Sequence, residues 1–481
     1  MTKDLTRRRF LRTAATAAAG FTIVPRHVLG GVGYTAPSDR LRILGVGAGG
    51  KGESNLKPLD GEYVIGLCDI DAERAADTFA HFPQAARYTD FRRMYDELLA
   101  DADAVVVSTP DHTHAVAALR ALYADKHVYC EKPLVHNIRE ARLMTEAARA
   151  RPHLATQMGN QGASQEGIRR ITEWLAADLI GEVHTVHAWT NRPIWPQGNP
   201  RPTQAMPKPA HVDWESWVGP APMVPYHKLY HPFAWRGWWD FGTGALGDMG
   251  CHIIDASFYA LELGYPTSAE ASVVPIYSQN WNADYTPEAC PVASKIILRF
   301  PARGPGKPAV KLTWHDGGLL PERPRELQPG EQMGGWGGGV ILEGTRGKLM
   351  HDVYANNPRL LPLALNEQAD RFPEPTLPRV PDEQHQLDWI AAIREGRQPS
   401  SHFGKAGPLT ETVLMGNLAV RAYDLRMPTP TAEDPDAYDV PGRGNELLWD
   451  GEAMRITNLP ELDRLVGREN GYREGWELPT A

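Results

Sequence analysis

The amino-acid sequence predicts an α/β fold, in which a doubly wound parallel sheet is followed by a second domain of different composition. Three observations favour this class. The chain has 481 residues, more than one hydrophobic core usually serves. Short apolar runs alternate with helical segments over residues 39–156, and a glycine-rich turn follows the first run. From about residue 157 the composition changes, and tryptophan and proline accumulate.

Composition and charge exclude several classes of protein. Hydrophobic residues make up 42% of the chain and charged residues 23%, which is typical of a globular protein. The formal net charge of -9 argues against nucleic-acid and anionic-membrane partners. No apolar run approaches the roughly 20 residues that span a bilayer. The four cysteines lack the spacing of a zinc site or a disulfide framework.

The N-terminus predicts an export signal. Arg7, Arg8 and Arg9 precede Phe10 and Leu11, and a weakly hydrophobic, alanine-rich run follows. This pattern is typical of the twin-arginine pathway, which carries proteins that are already folded. We therefore expect a periplasmic or otherwise exported protein that brings any cofactor with it.

A glycine-rich turn follows the first apolar strand. Gly45, Gly47 and Gly50 give the G-x-G-x-x-G spacing directly after Leu44. In this motif the first glycine permits a tight turn, the second lets the backbone approach a pyrophosphate, and the third lets a helix pack closely. The turn therefore predicts a dinucleotide-binding domain, with the helix N-terminus facing the phosphates.

The next strand predicts the choice of dinucleotide. Tyr63–Cys68 is an apolar run, and it ends at Asp69. A carboxylate at this position accepts hydrogen bonds from the ribose hydroxyls and repels a 2′-phosphate. The sequence therefore favours NAD over NADP.

The alternation of strands and helices continues, and one histidine pair along it resembles a metal motif. Ala104–Val107 is followed by Thr109 and Pro110, then by His112 and His114. No third ligand is evident at helical spacing, so we predict no metal site. A helix over residues 115–124, a strand over 127–129 and a helix capped by Asn137 come next.

A lysine follows the predicted fifth strand. Glu131, Lys132 and Pro133 stand where that strand meets the cofactor edge of the sheet. A fixed positive charge beside a nicotinamide favours an alkoxide on a substrate that is losing hydride. We therefore interpret Lys132 as a catalytic residue.

The second domain begins with an aromatic-rich segment. Seven of the fourteen tryptophans fall between Trp189 and Trp239, among arginines that include Arg236. Aromatic faces beside hydrogen-bonding groups suit a sugar ring. The alternative is a long loop with a small core of its own. We favour a substrate wall for the cluster and leave each single tryptophan open.

Asp248 and His252 form a second candidate pair. Asp248 is a good N-cap residue, so we expect a helix to begin there. His252 follows four residues later and lies on the same helical face. A neighbouring carboxylate orients a histidine ring and raises its proton affinity.

These motifs, in this order, resemble the Gfo/Idh/MocA family of oxidoreductases. The resemblance covers residues 39–430, and it implies a Rossmann domain over 39–156. Over 157–430 it implies a substrate-binding and oligomerisation domain of the α+β class, with an open, largely antiparallel sheet. It also implies a cis bond between Lys132 and Pro133, and a homodimer or homotetramer formed through the second sheet. We expect residues 1–38 to be signal and linker, and residues 431–481 to be a tail that packs on the surface.

The predicted site combines both domains. The residues expected to bind NAD are Gly45, Gly47, Gly50, Asp69, Thr109, Pro110, His114, Glu131 and Lys132. The residues expected to bind a small carbohydrate substrate are Lys132, Arg236, Trp239, Asp248 and His252. We expect His252 to act as the base, Lys132 to stabilise the oxyanion and Asp248 to orient His252.

Three functions remain open at this point. The favoured one is an exported NAD-dependent oxidoreductase acting on a secondary hydroxyl of a sugar, cyclitol or glycoside. The second is an NAD-dependent glycoside hydrolase that oxidises C3 transiently, for which the sequence assigns no second base near C2. The third is a sensor that binds sugar and dinucleotide without chemistry.

The remaining predicted elements belong to the second domain. They are strands over Ser294–Phe300 and Ala309–Trp314, a hairpin over Ile341–Met350, and helices over Gln384–Glu395 and Leu409–Tyr423.

Overall fold

The computed structural model describes residue 36 and residues 39–480. The expected twin-arginine motif, Arg7 to Leu11, lies outside the described residues.

The first domain is built on a six-stranded parallel sheet in the order β3-β2-β1-β4-β5-β6. Its strands are β1 Arg42–Val46, β2 Tyr63–Cys68, β3 Ala86–Tyr88, β4 Ala104–Val107, β5 His127–Cys130 and β6 Thr156–Met158. Its helices are α1 Lys51–Leu56, α2 Ala76–His81, α3 Phe91–Leu98, α4 His114–Tyr123 and α5 Ile138–Arg149. The strand order and the helical crossovers confirm the predicted doubly wound fold.

Local sequence explains these elements. All four residues of β4 are buried, as expected of a strand covered by helices on both faces. The Asn137 side chain accepts a hydrogen bond from the backbone N–H of Glu140 at 3.0 Å and caps α5 as predicted. The expected domain boundary at residue 156 falls inside β6, which pairs with β5 and belongs to the first sheet.

The second domain is built on a nine-stranded sheet in the order β13-β12-β11-β7-β10-β9-β8-β16-β17. Only β7 and β10 pair in parallel, so the predicted largely antiparallel sheet is confirmed. Its strands are β7 Val183–Thr190, β8 Ser268–Val273, β9 Ser294–Phe300, β10 Val310–His315, β11 Gly338–Gly344, β12 Lys348–Asp352, β13 Arg359–Leu361, β16 Leu447–Asp450 and β17 Arg455–Ile456. A separate ribbon consists of β14 Met427–Pro428 and β15 Tyr438–Asp439.

The helices that follow β6 are α6 Glu166–Ala176, α7 Trp214–Val218, α8 Gly244–Ile253, α9 Asp255–Ala260, α10 His385–Glu395 and α11 Phe403–Tyr423. Helix α11 joins the domains, because it packs against α5 of the first domain and against β8 and β9 of the second. It begins at Phe403, six residues before its predicted start at Leu409. Pro408 lies in its second turn and disfavours a helix locally, but burial of this segment stabilises the helix.

The C-terminal segment is built into both domains. Strand β16 pairs with β8, so it extends the second sheet. The Trp476 side chain is 2% exposed and packs edge-on against Phe91 of α3 at 5.8 Å. The prediction of a tail that only covers the surface is therefore wrong, because its apolar residues fill gaps in both cores.

Over residues 39–480, no helix combines the length and the apolar character that crossing a bilayer requires.

Candidate active site

The candidate active site is a cleft of about 440 Å³ between the two domains. Its nucleotide end contains the glycine-rich turn and Asp69, and its substrate end contains Lys132, Asp248 and His252. The strand order reverses between β1 and β4, and the cleft lies beyond the carboxyl ends of these strands. Open α/β sheets bind their ligands at this switch point.

The glycine-rich turn brings bare backbone to the cleft. Gly47 has a φ of +83°, and a Cβ there would lie 2.7 Å from the carbonyl oxygen of Ser108. A Cβ at Gly52 would lie only 1.8 Å from the carbonyl oxygen of Gly47. The close approach between helix α1 and the turn therefore depends on Gly52. Gly50, to which the sequence assigned that role, precedes α1 with a φ of +60°.

Asp69 ends β2 at the cleft and holds the turn in place. Its Oδ2 accepts hydrogen bonds from the backbone N–H groups of Ala48 and Gly49, both at 2.8 Å. Its Oδ1 accepts from the N–H of Asp71 at 2.9 Å. Burial raises the pKa of Asp69, and these three hydrogen bonds act in the opposite direction. The carboxylate therefore organises the pyrophosphate loop as well as facing the expected ribose position.

The loop after β4 contributes Thr109 and Pro110 to the cleft wall. His114, also expected at the cofactor, does not reach the cleft. Its ring nitrogens lie 2.9 Å from the carbonyl oxygen of Pro133 and 2.8 Å from that of Thr109. His114 therefore ties the loop after β4 to the loop after β5, and acts on the site by positioning both.

Glu131 lines the cleft and is 4% exposed. Its Oε1 accepts a hydrogen bond from Asn55 Nδ2 at 2.9 Å and lies 3.6 Å from Lys51 Nζ. Its Oε2 accepts from the backbone N–H of Lys132 at 3.2 Å. Glu131 therefore links helix α1 to the loop that carries Lys132.

Lys132 reaches across the domain boundary. The peptide bond between Lys132 and Pro133 is cis, as the resemblance implied. The Nζ of Lys132 donates to the side-chain Oδ1 of Asp248 at 2.8 Å and to the backbone oxygen of Asp248 at 2.7 Å. Burial acts to lower the pKa of Lys132, but the Asp248 carboxylate outweighs it and the pKa is raised. An ammonium has three donors, so one remains for a ligand.

Asp248 differs from its predicted role in two respects. It lies within helix α8, four residues after the first residue, Gly244, so it is not an N-cap. Its carboxylate contacts Lys132 and Arg236, and in the described part of the chain no hydrogen bond joins it to His252. Burial favours the neutral acid, but Lys132 and Arg236 outweigh it and hold the pKa of Asp248 far below its usual range. Asp248 is therefore an ionised partner that positions Lys132.

His252 lines the same cleft one helical turn further on. Burial, followed by the charge of Lys132, holds the pKa of His252 well below its ordinary value, although Asp248 acts to raise it. Its Nδ1 is buried and has no hydrogen-bond partner among the described residues. The ring packs edge-on against Tyr354 at 4.7 Å. Asp248 thus acts on the proton affinity in the expected direction, but burial and Lys132 outweigh it and favour the neutral ring, which can accept a proton.

Two arginines complete the substrate end. Arg236 donates from Nε to Asp248 Oδ1 at 3.2 Å, and Arg192 Nε lies 3.9 Å from Asp248 Oδ2. Both side chains line the cleft. Arg236 was expected at the substrate, whereas Arg192 was missed although its segment, Asn191 to Trp195, had the composition of a binding loop.

The tryptophan-rich segment is mainly a small core. Its buried members pack together beside the cleft: Trp214, Trp217, Val218, Ala221, Tyr230, Trp235, Trp238 and Phe241. The alternative of a small core therefore applies to these residues, and the predicted substrate wall applies to part of the cluster. Trp195, Trp217 and Trp235 do line the cleft. Trp239 does not, and it faces separate cavities beside Arg421.

Tyr354 is a site residue that the sequence did not reveal. Tyr354 lies in the loop that connects β12 to β13, and its side chain lines the cleft. Its φ of +64° is unusual for a residue with a side chain. Such a backbone is retained only where the surroundings hold it, and it is common at functional sites. No motif or periodicity marks this position, so only the fold identifies it.

His112, the first histidine of the pair that resembles a metal motif, has a structural role. The ring nitrogens of His112 lie 3.2 Å from the carbonyl oxygen of Phe241 and 3.0 Å from that of Trp217. Over the described ranges, no group of three histidine, cysteine, aspartate or glutamate side chains is placed to hold a metal ion.

Comparison with family models agrees with this architecture. Residues 40–158 match the NAD-binding Rossmann-fold domain of an oxidoreductase family. Residues 174–283 match the C-terminal α/β domain of the same family. Both matched segments are therefore domains of the Gfo/Idh/MocA family of oxidoreductases, and the resemblance inferred from the motifs is confirmed over those residues.

Individual relatives carry names of different activities. A glycosyl hydrolase family 109 protein of Shewanella pealeana is 28% identical over 211 residues, which cover 38% of this chain and 46% of the relative. Inositol 2-dehydrogenase 3 of Saccharopolyspora erythraea is 30% identical over 166 residues, covering 33% and 47%. The chain thus spans about half the length of the curated relatives it matches.

Among solved structures, levoglucosan dehydrogenase in complex with NADH has a similar fold. The TM-score is 0.52 at 18% identity, and the match covers 79% of this chain and 98% of that one. At this identity the match shows the fold alone.

Proposed function

We propose that this protein is an exported NAD-dependent oxidoreductase that removes hydride from a secondary hydroxyl of a sugar, cyclitol or glycoside. One observation carries the proposal. Lys132 from the first domain and Asp248 from the second meet at 2.8 Å in the cleft, and His252 stands one helical turn away. The site therefore exists only where the nucleotide-binding domain meets the second domain.

The nucleotide end of the cleft fits the cofactor. The turn at Gly47 and Gly49 presents backbone without side chains, and Asp69 stands beside it. A Cβ at Gly47 would collide with the Ser108 carbonyl oxygen, so the close turn that lets backbone approach a pyrophosphate requires glycine here. NAD bound there supplies a hydride acceptor.

The residues of the substrate end have separate roles in the reaction. The third N–H of Lys132 donates to the reacting hydroxyl oxygen, and its charge stabilises the developing oxyanion. Asp248 keeps that ammonium charged and fixed in direction. His252 takes the hydroxyl proton, because its lowered pKa keeps it neutral before the reaction.

The export proposal rests on Arg7, Arg8 and Arg9 and the alanine-rich run behind them. Its test is a variant in which all three arginines become lysine. We expect the variant to stay in the cytoplasm while the parent protein reaches the periplasm with NAD bound. Efficient export of the variant would contradict the proposal.

A second candidate is NAD-dependent glycoside hydrolysis by transient C3 oxidation. That reaction requires a further base near C2, and Tyr354 is an additional ionisable side chain in the cleft beside His252. The relative in glycosyl hydrolase family 109 favours testing it. A sensor without chemistry is the third candidate, and the joint placement of Lys132, Asp248 and His252 disfavours it.

Product analysis separates the three candidates. The protein, reconstituted with NAD, is incubated with a panel of cyclitols and aryl glycosides, and both sugar products and NADH are quantified. A keto product formed with equimolar NADH supports the oxidoreductase. Release of the phenol without net NADH supports the hydrolase, and binding without products supports the sensor. Lys132→Met should abolish either chemistry, whereas Lys126→Met, at the opposite end of β5, should not.

A further inference from the structure

We propose that the substrate is an anionic sugar, whose carboxylate or phosphate group is bound by Arg192 and Arg236. This inference rests on the proposed function and deepens it. Arg192 follows β7, and Arg236 lies in a short helical turn, Ala234–Gly237, so two separate segments bring the guanidinium groups to one end of the cleft.

The substrate end carries an excess of positive charge. Asp248 is the carboxylate at its centre, and three cations surround it: Lys132 at 2.8 Å, Arg236 at 3.2 Å and Arg192 at 3.9 Å. Asp111 also lines this part of the cleft, where it accepts a hydrogen bond from Thr243 at 2.6 Å. Even with both carboxyl groups ionised, the three cations outnumber the two anions, and Glu131 and Lys51, which also line the cleft, pair with each other at 3.6 Å.

Each guanidinium retains donors that face no protein acceptor. Arg236 uses Nε for Asp248 and Nη1 for the backbone oxygen of Phe233 at 3.0 Å. Arg192 uses Nη1 for Asn191. Within residues 39–480, the Nη2 group of either arginine makes no hydrogen bond. The Arg192 side chain is 17% exposed and the Arg236 side chain is 22% exposed. Because both line the cleft, their free donors are available to a ligand bound there.

Aromatic rings hold Arg236 in a fixed orientation. Its guanidinium carbon lies 4.2 Å from the ring centre of Trp235 and 4.7 Å from that of Phe233. A planar guanidinium that is already oriented loses little entropy when it binds a carboxylate or phosphate. A role in binding Asp248 does not account for the presence of two arginines. Lys132 already binds that carboxylate, and Arg192 lies beyond hydrogen-bond distance from it.

The test compares matched sugars that differ in one group. The probes are methyl glucoside, methyl glucuronoside and methyl glucoside 6-phosphate, with the galactose series beside them. For each probe, kcat and KM are measured by NAD reduction, and binding is measured separately by quenching of tryptophan fluorescence. We expect an anionic probe to exceed its neutral parent in kcat/KM by about tenfold at low salt. This preference should shrink as ionic strength rises.

Variants assign the preference to the two arginines. Arg192→Gln and Arg236→Gln should each lower the anionic-to-neutral ratio of kcat/KM several-fold, mainly through the KM of the anionic probe. Reading the ratio within each variant removes any general loss of activity. Arg346→Gln, which removes an exposed arginine paired with Asp178 outside the cleft, should leave the ratio unchanged.

Each outcome has a defined meaning. A preference for the uronoside or for the phosphate identifies which anion the site takes. A neutral parent that is used as well as its anionic forms overturns this inference and leaves the proposed function intact. If no probe reduces NAD, the binding measurement decides. Anionic probes that bind the parent protein more tightly than they bind both arginine variants support the anion site, and equal binding overturns it.

Discussion

The two ends of the cleft are built in different ways. The nucleotide end is formed by the backbone of the turn at Gly47 and by a carboxylate, Asp69, that accepts hydrogen bonds from three backbone N–H groups. The substrate end is formed by side chains from both domains, where Lys132 and Arg236 both donate hydrogen bonds to Asp248. A site formed by close-packed backbone has no room for an added side chain. A site formed by charged side chains loses one interaction with each substitution. Substitutions at the two ends should therefore fail differently.

The largest effect is expected at the turn. Gly47→Val should abolish cofactor binding, because the new Cβ would meet the Ser108 carbonyl and the φ of +83° disfavours any branched side chain. Calorimetric titration with NAD measures the loss. Gly61→Ala is the matched control, because nothing lies within 4 Å of the added Cβ. Normal NAD affinity in Gly47→Val would show that the backbone does not form this end of the cleft.

His252 should show a loss of chemistry without a loss of cofactor. His252→Ala is expected to lower the rate by about 10²–10⁴ while NAD still binds. Since the pKa of His252 is lowered, it remains an unprotonated base as pH falls through 6.5, where an ordinary histidine gains its proton. The parent rate should thus stay level across that pH and decline only below it. A rate that halves near pH 6.5 would contradict the neutral-base assignment. The control is His153→Ala, because His153 is an exposed histidine.

Asp69 should have a smaller, selective effect. Asp69→Asn keeps an acceptor for the turn and removes the charge that repels a 2′-phosphate. We expect the preference for NAD over NADP to fall by about 1.5–3 kcal/mol, measured by titrating both cofactors. Arg74, which also lines this end, is the matched comparison, and Arg74→Ala should weaken NADP binding more than NAD binding. Tighter binding of NADP than NAD by the parent protein would refute the assignment of Asp69.

The smallest effect is expected at Trp239. Because this side chain lies outside the cleft, Trp239→Phe should leave the substrate KM nearly unchanged. Trp195→Phe, within the cleft, should raise the KM several-fold through lost contact with the substrate ring. Steady-state kinetics with the best substrate of the panel compare the two. A reversed order would restore Trp239 to the substrate wall.

The sequence predicts the nucleotide end better than the substrate end for a physical reason. The turn and Asp69 act through local backbone geometry, which a short motif specifies. The four-residue spacing of Asp248 and His252 correctly placed both on one helical face. Their partners, Lys132 and Tyr354, come from distant parts of the chain, and no local pattern specifies such pairings.

The same limit applies to the aromatic segment. Trp195 and Trp239 have similar neighbours in sequence, yet only the fold decides which of them faces the cleft. Helix α8 begins before Asp248 because Gly244 to Gly247, which favour a loop locally, are buried against the rest of the molecule. Tertiary packing overrides local propensity in both cases.

The central claim is that Lys132 and His252, from different domains, act as one catalytic unit. Its most direct test is single-turnover reduction of bound NAD by Lys132→Met, His252→Ala and the double variant, with cofactor content checked in each. We predict that each single variant loses about 10²–10⁴ in rate and that the double variant is little slower than the slower single one. Near-normal turnover by either single variant, or losses that multiply in the double variant, would contradict the account.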